Sequence, residues 1–124
     1  MANPNLNTAT GVYGNNALVN LTATTATLIV SNPASSGKLL LIDSVRASNV
    51  DGTNACDVIL NMFPTADNSG TATSLGSTIA VPADSSLLLV TKDDSVCLKE
   101  GQSLYATASA ANDLHIAAFW KELS

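Results

Sequence analysis

Short apolar runs recur along this chain at regular intervals, and most are followed by proline, glycine, asparagine or aspartate. Within runs such as 103–109 and 114–122, every second residue is apolar. A period of two places successive side chains on opposite faces of a strand, and no stretch keeps the 3.6-residue period of a helix. The pattern predicts an all-β, single-domain β-sandwich or jelly roll of about eight antiparallel strands.

Proline and glycine set the expected strand ends. Pro33, Pro64 and Pro82 each follow an apolar run, because proline has no N–H to give to a ladder. Gly101 lies in a turn where it can adopt positive φ. The predicted strands cover 17–23, 26–31, 38–47, 55–63, 74–81, 85–92, 96–98, 103–109 and 114–122.

The stretch 38–63 contains two of these strands around the dipeptide Asp51-Gly52. This dipeptide is typical of tight turns, so we expect the two flanking strands to pair as an antiparallel hairpin. Alternation in the second strand indicates one drier face, formed by Cys56, Val58, Leu60 and Met62.

The N-terminal residues are polar and rich in asparagine. We expect an extended arm over residues 1–16 and a β-sandwich domain over residues 17–124. In an assembly, such an arm would lie along a neighbouring subunit. The residues expected at a partner interface are Asn3, Pro4, Asn5, Leu6 and Tyr13 in the arm, and Trp120 near the C-terminus.

Phe119 and Trp120 are adjacent on a predicted strand and therefore point to opposite faces. One of them is expected in the core, and the other is expected to face a partner or a second sheet. Three roles stay open for these aromatic residues: core packing, a subunit interface, and a glycan-binding platform that also involves Tyr105.

The charge pattern excludes several partners. Charged residues make up 12% of the chain, about half the usual share, and the net charge is −5. The five basic residues are scattered, so we expect neither nucleic-acid binding nor docking on an anionic membrane. There is no signal sequence and no apolar stretch long enough for a membrane helix, which predicts folding in a cytoplasm.

No motif of catalysis or cofactor binding occurs in the sequence. His115 is the only histidine, and no G-x-S-x-G elbow accompanies it, so we expect no enzyme and no zinc site. Oxygen ligands for calcium cluster at Asp51, Thr53, Asn54 and Asp57, but the tight turn explains the same residues. We therefore expect no catalytic residues, no cofactor and no metal.

Two cysteines lie 41 positions apart. Cys56 is on the drier face of its strand and is expected to be a small core residue. Cys97 lies in another strand-like segment. The two either pair or stay reduced, and assembly in a cytoplasm favours free thiols.

Three segments occur in an order that resembles a family of small virion structural proteins of tailed bacteriophages. They are IDSVRASNVDGTNACDVIL with its Asn-rich turn, VPADSSLLLV with its Pro turn, and the closing hairpin CLKEGQSLYATASAANDLHIAAFWKEL. The resemblance covers residues 38–124 and lies in the order and spacing of the segments. Gly101 lacks the acidic residue that often follows it in the family, and the loop 65–73 is longer.

This resemblance implies a non-enzymatic structural part of a virus particle with a jelly-roll-like fold. Within that class it favours a capsid decoration, or cement, protein that binds the major capsid protein lattice and stabilises it. It also implies a location in the virion, assembled in the cytoplasm of a bacterial host. The low surface charge suggests a homo-oligomer, a trimer at quasi-three-fold positions.

Two other functions fit the same sequence. One is a neck, tail or fibre component of such a particle, in contact with neighbouring tail proteins. The other is a glycan-binding module of a receptor-binding device, which would use Trp120 or Tyr105.

Overall fold

The structure, a computed structural model, describes residues 10–124. This part of the chain folds into nine strands and one short 3-10 helix, Lys92–Asp94. The strands are β1 (Val12–Asn20), β2 (Thr27–Asn32), β3 (Leu39–Asn49), β4 (Cys56–Phe63), β5 (Thr73–Val81), β6 (Ser86–Val90), β7 (Cys97–Leu98), β8 (Gln102–Ala108) and β9 (Leu114–Leu123).

The strands form two sheets, and every pairing is antiparallel. Sheet A has the order β1-β9-β3-β6, with the short β7 also paired to β3. Sheet B has the order β2-β8-β4-β5. Most connections cross from one sheet to the other, as in a jelly roll. The predicted all-β sandwich is confirmed.

The core lies between the two sheets and follows the alternation of the strands. On β9, Leu114, Ile116 and Ala118 are buried, whereas His115 and Phe119 are exposed. The same rule holds on β4, where Cys56, Val58 and Leu60 are at most 1% exposed. These side chains leave water on folding, which stabilises the sandwich by roughly 25 cal/mol per Å² of apolar surface.

The predicted hairpin around Asp51-Gly52 is wrong. β3 belongs to sheet A and β4 to sheet B, so the connection between them crosses the sandwich instead of pairing the strands. Gly52 does not adopt the positive φ of a two-residue hairpin turn. The turn chemistry of Asp51 is nevertheless present, because its Oδ1 accepts a hydrogen bond of 2.8 Å from the Thr53 N–H.

A buried asparagine holds that crossover. The Asn49 side chain is at the end of β3, and its Nδ2 donates to the carbonyls of Asn54 and Val81, both at 2.9 Å. Its Oδ1 accepts from the Asp51 N–H at 2.9 Å. Asn49 is 3% exposed, so these bonds replace water for three backbone groups and join the crossover to the end of β5.

A second asparagine does the same at the end of β2. Asn32 is fully buried, and its Nδ2 donates to the carbonyls of Lys38 and Leu98 at 2.9 and 3.0 Å. Its Oδ1 accepts from the Ser36 hydroxyl. The loop between β2 and β3 and the strand β7 are thereby joined to the same amide.

The remaining turn predictions agree with the structure. β2, β4 and β5 end at the residue before Pro33, Pro64 and Pro82, and Gly101 has a φ of 79°. The predicted arm differs, since β1 begins at Val12 and residues 12–16 pair with β9. Residues 1–9 of the expected arm lie outside the described residues.

Candidate interaction surface

The outer face of sheet A carries a row of residues that crosses four strands. The register places Leu18 of β1 beside Ala117 of β9, Ala117 beside Arg46 of β3, and Arg46 beside Leu88 of β6. Phe119 is two residues further along β9 on the same face. We call Leu18, Leu88, Ala117 and Phe119 the sheet A patch.

Three members of this patch are unusually exposed for apolar residues. Leu18 is 74% exposed, Leu88 is 47% exposed and Phe119 is 43% exposed. Polar side chains surround them on the same face, including Asn16, Ser44, Ser48 and His115. An apolar centre with a polar rim is the usual anatomy of a protein–protein interface.

Few charges lie on this face. Arg46 is exposed within the row, and Lys121 pairs with Asp43 at 3.4 Å, a partly exposed contact that adds little to stability. That pair lines one side of a groove of about 410 Å³ that is formed by β3, by the start of β7 and by the segment before β7. Its apolar walls are Leu39, Leu41, Val96 and Cys97.

Glu122 connects β1, β9 and the residue before β3. Its carboxylate accepts hydrogen bonds from Asn15 Nδ2 at 2.8 Å, Lys38 Nζ at 3.0 Å and Trp120 Nε1 at 3.3 Å. The bond from Asn15 is the main reason that the pKa of Glu122 lies below its usual value, with Lys38 and Trp120 lowering it further. These bonds favour the charged carboxylate and hold β1 against β9.

The outer face of sheet B is more polar. Thr107 of β8 lies beside Ile59 of β4, and Asp57 lies beside Ala80 of β5. Leu28 on β2 is 43% exposed and lies beside Tyr105, whose ring meets Phe63 edge to face with centroids 5.3 Å apart. Sheet B also carries exposed apolar side chains, Leu28, Leu75 and Ile79, but none is more than 43% exposed, whereas Leu18 of sheet A is 74% exposed.

The predicted interface residues have different positions in the structure. Asn3, Pro4, Asn5 and Leu6 lie outside the described residues. Tyr13 is 66% exposed on β1, on the face opposite to the sheet A patch.

The prediction that Trp120 faces a partner is wrong, because Trp120 is 8% exposed and packs in the core. Its neighbour Phe119 is the outward aromatic residue. A glycan platform on Trp120 therefore has no accessible ring. Alternation alone showed that the two rings diverge, but the inner face of the sheet had to be known to assign them.

Two of the candidate calcium ligands, Asp51 and Asn54, are used in turn hydrogen bonds. The Thr53 N–H is the main cause of the lowered pKa of Asp51, and Asn54 Nδ2 also donates to the Asp51 carboxylate at 3.3 Å. Within residues 10–124, no group of three or more His, Cys, Asp or Glu residues is placed to hold a metal ion.

Neither cysteine is in a disulfide within the described chain. Cys56 is buried, with its Sγ 3.4 Å from the Ser109 hydroxyl, as the core prediction required. Cys97 is half-buried on the other sheet. His115 lies on the outer face of β9 between Asn20 and Ser48. In the part of the chain that is described, no helix is long and apolar enough to cross a bilayer.

No family model matches the chain, and no curated protein gives a significant match. Among solved structures, the chain is similar to a protein of Bacillus endospore appendages, described as a novel family of disulfide-linked pili. That likeness has a TM-score of 0.51 at 17% identity and covers 91% of this chain and 88% of the other.

A chain of the infectious bursal disease virus particle is also similar in fold. Its TM-score is 0.50 at 6% identity, over 93% of this chain and 31% of the viral chain. A chain of the cyanophage Pam1 capsid aligns over 99% of this chain and 91% of its own length, with a TM-score of 0.38 at 17% identity. The first two likenesses show that the jelly-roll fold of this chain occurs in a pilus protein and in a virus particle.

Proposed function

We propose that this chain is a non-enzymatic structural protein of a virus particle, of the tailed-bacteriophage type that its sequence resembles. Within that class we propose a capsid decoration, or cement, protein that binds the major capsid protein lattice. The observation that carries the proposal is the sheet A patch, where Leu18, Leu88 and Phe119 remain exposed on a jelly-roll sandwich. A protein partner that covers this patch removes apolar surface from water.

The scarcity of charge supports the same function. The rim of the patch is mainly Asn and Ser, and Lys121 on the same face is paired with Asp43, which leaves Arg46 as the exposed charge within the row. Such a surface meets a partner without desolvating many charges, which is costly when they are left unpaired. An enzyme would instead need a nucleophile or acid–base pair that converges on one point.

The mechanism would be mass action. A protein that binds the assembled lattice and not its free subunits shifts the equilibrium toward the assembled shell. In this proposal the chain is a homo-oligomer, a trimer at quasi-three-fold positions of the virion, and assembles in the cytoplasm of its bacterial host. The segment that contains Asn3, Pro4, Asn5 and Leu6 would contact the neighbouring capsid subunit.

Binding to particles tests this function. Particles made without this chain should bind the purified wild-type protein and disassemble at a higher temperature once it is bound. Leu88→Ser, on the sheet A patch, should bind at least about tenfold more weakly, which corresponds to about 1.4 kcal/mol. Leu28→Ser is the matched control, because Leu28 has a similar exposure on the outer face of sheet B.

Two outcomes would count against the proposal. Equal binding of the wild type and of both variants would remove the sheet A patch as the contact, and no binding at all would remove the decoration function.

Quantitative mass spectrometry of whole particles separates the alternatives within the virion. A decoration protein approaches the copy number of the capsid protein, whereas a neck, tail or fibre component is present in few copies.

A second candidate is the subunit of a protein filament. The likeness to the Bacillus appendage protein favours it, because that likeness extends over nearly the whole of both chains. Electron microscopy of the purified chain at high concentration distinguishes the two. Helical filaments that form without any capsid protein would favour this second function over decoration.

A further inference from the structure

The four edges of the sandwich differ in regularity. Each of three edges carries an extra residue that breaks its register with its neighbour: β2 at Ile29, β6 at Leu89, and β5 at two places. β1 instead pairs with β9 in unbroken register from Val12 to Asn20. Bulges are a usual device against unwanted pairing of edge strands, and β1 lacks one.

The hydrogen bonds at both ends of β1 show which backbone groups face away from β9. Gly11 and Ser124 exchange both backbone bonds, at 3.2 and 3.0 Å, and the Leu21 N–H donates to the Leu114 carbonyl at 2.9 Å. In an antiparallel ladder such pairs occur at every second residue. The odd-numbered residues of β1 therefore bond to β9, and the N–H and C=O groups of the even-numbered residues point outward.

β1 also lacks the charged residues that protect many edges. Its sequence, VYGNNALVN, has no Lys, Arg, Asp or Glu. Val12, Tyr13 and Leu18 are 60%, 66% and 74% exposed. One outward N–H is satisfied locally, since the Asn16 N–H donates to Asn15 Oδ1 at 2.8 Å. Among residues 10–124, no strand pairs with the outer edge of β1.

We propose that β1 pairs antiparallel with β1 of a second copy of this chain, about a two-fold axis at Asn16. The two copies of sheet A then form one continuous sheet, and the bond from the Asn16 N–H to Asn15 is exchanged for a bond to the partner strand. This contact does not depend on the proposed function, because a two-fold pair can form in a shell, in a filament or in solution.

The pairing is self-complementary, as an isologous contact must be. With Asn16 opposite Asn16 of the second copy, all nine residues of β1 overlap. On the outer face, Leu18 lies beside Gly14 of the second copy, and there is open space around Gly14. On the inner face, the exposed Tyr13 lies beside the half-buried Val19 of the second copy.

The absence of charged residues from β1 favours a second copy of this chain as its partner. The chain has a net charge of −5, so two copies repel one another at most orientations. β1 brings them together along an uncharged strand. It also joins their sheet A patches, because Leu18 belongs to both the edge and the patch.

Two variants that place opposite charges at Asn16 test this contact. Their self-association is measured in the full-length chain by analytical ultracentrifugation. Wild-type protein should form dimers, or hexamers where two of the proposed trimers pair through β1. Asn16→Lys and Asn16→Asp should each weaken self-association at least about tenfold, because like charges directly opposite one another destabilise a sheet. An equimolar mixture should recover association as a one-to-one heterodimer, identified by native mass spectrometry.

Ser77→Lys on the bulged strand β5 is the matched control and should associate like the wild type. If a variant at Asn16 fails to fold, Gly14→Lys mixed with Leu18→Asp tests the same register through the neighbouring pair. Unchanged association of Asn16→Lys and Asn16→Asp, or a mixture that stays monomeric, would overturn the proposal.

A chain that lacks residues 1–9 tests the remaining possibility, that the N-terminal residues of the same chain occupy the edge of β1. If the full chain is monomeric and the shortened chain dimerises, the N-terminal residues of the same chain cover β1, and the proposal is wrong for the intact protein. If both are monomeric at millimolar concentration, the edge does not pair with a second copy at all.

Discussion

The edge strands β1 and β5 have the same length, nine residues each, but they differ in how regular their outer edges are. β5 has two register breaks, a residue in the left-handed region at Thr78 (φ 52°), and a C-terminal end held by the buried amide of Asn49. β1 is regular and uncharged, and side-chain contacts of Glu122 hold it. The edge of β5 is therefore irregular, whereas β1 presents an unbroken and uncharged edge with which a partner strand can pair.

Removing the amide that holds β5 should have the largest effect. Asn49→Ala leaves the Val81 and Asn54 carbonyls and the Asp51 N–H without their buried partner. We expect the free energy of unfolding to fall by about 3 kcal/mol, since each unsatisfied buried group costs roughly 1–3 kcal/mol. Urea denaturation measures it, with the exposed Asn20→Ala as the control, and an equal loss in both variants would contradict the explanation.

Removing the backbone strain at Thr78 of β5 should change the free energy of unfolding by less than Asn49→Ala does, and should raise it. Thr78 is β-branched and adopts a positive φ, a conformation that costs a non-glycine residue roughly 1–2 kcal/mol. Thr78→Gly should therefore raise the free energy of unfolding by about 0.5–1 kcal/mol, after the entropy cost of glycine is subtracted. Thr73→Gly, at the start of the same strand, should lower stability, and a parallel loss at both positions would argue against strain at Thr78.

Acid should weaken the attachment of β1 through Glu122. Because hydrogen bonds from Asn15, Lys38 and Trp120 lower the pKa of Glu122 in the folded state, its contribution is present above the unfolded pKa of about 4.5. That contribution is lost as the pH falls through the lower, folded pKa. Glu122→Gln should cost about 1 kcal/mol at pH 7, and the cost should fade in acid.

The measurement is the free energy of unfolding as a function of pH for the wild type and Glu122→Gln. Lys38→Gln removes the positive charge from one of the three donors and should give a smaller difference. A difference between wild type and Glu122→Gln that does not change from pH 7 to pH 3 would refute the role of the charged carboxylate.

The smallest change in stability is expected on the exposed face of β1. Leu18 contributes little to the fold because 74% of its surface is already in water. Leu18→Ser should change the free energy of unfolding by less than about 0.5 kcal/mol, whereas it should reduce whatever binding uses the sheet A patch. A larger loss in thermal unfolding would mean that Leu18 supports the sandwich itself.

The periodicity of the sequence predicted most of the secondary structure. Alternation is a local property of the backbone, so the residues that share a face on β4, β8 and β9 could be identified without any partner strand. Prolines and Gly101 marked strand ends and turns for an equally local reason, the fixed φ and missing N–H of proline and the conformational freedom of glycine.

The sequence did not show which strands pair. Asp51-Gly52 has the local chemistry of a hairpin turn, but β3 and β4 pair with strands far along the chain, and the turn becomes a crossover. The buried roles of Asn32 and Asn49 were missed for the same reason. Their partners, Leu98 and Val81, are distant in sequence. The sequence carried only a weak signal for these buried roles, which is that each asparagine ends an apolar run.

The strands, their two-sided character and the lack of recognisable catalytic motifs could be read from the residues alone. The tertiary structure was needed to show that Trp120 is inside and Phe119 outside, that three edges are bulged and that β1 is regular. The physical reason is that a strand's own residues fix the spacing of its faces. Which face is dry, and which edge is open, depends on the other strands that pack against it.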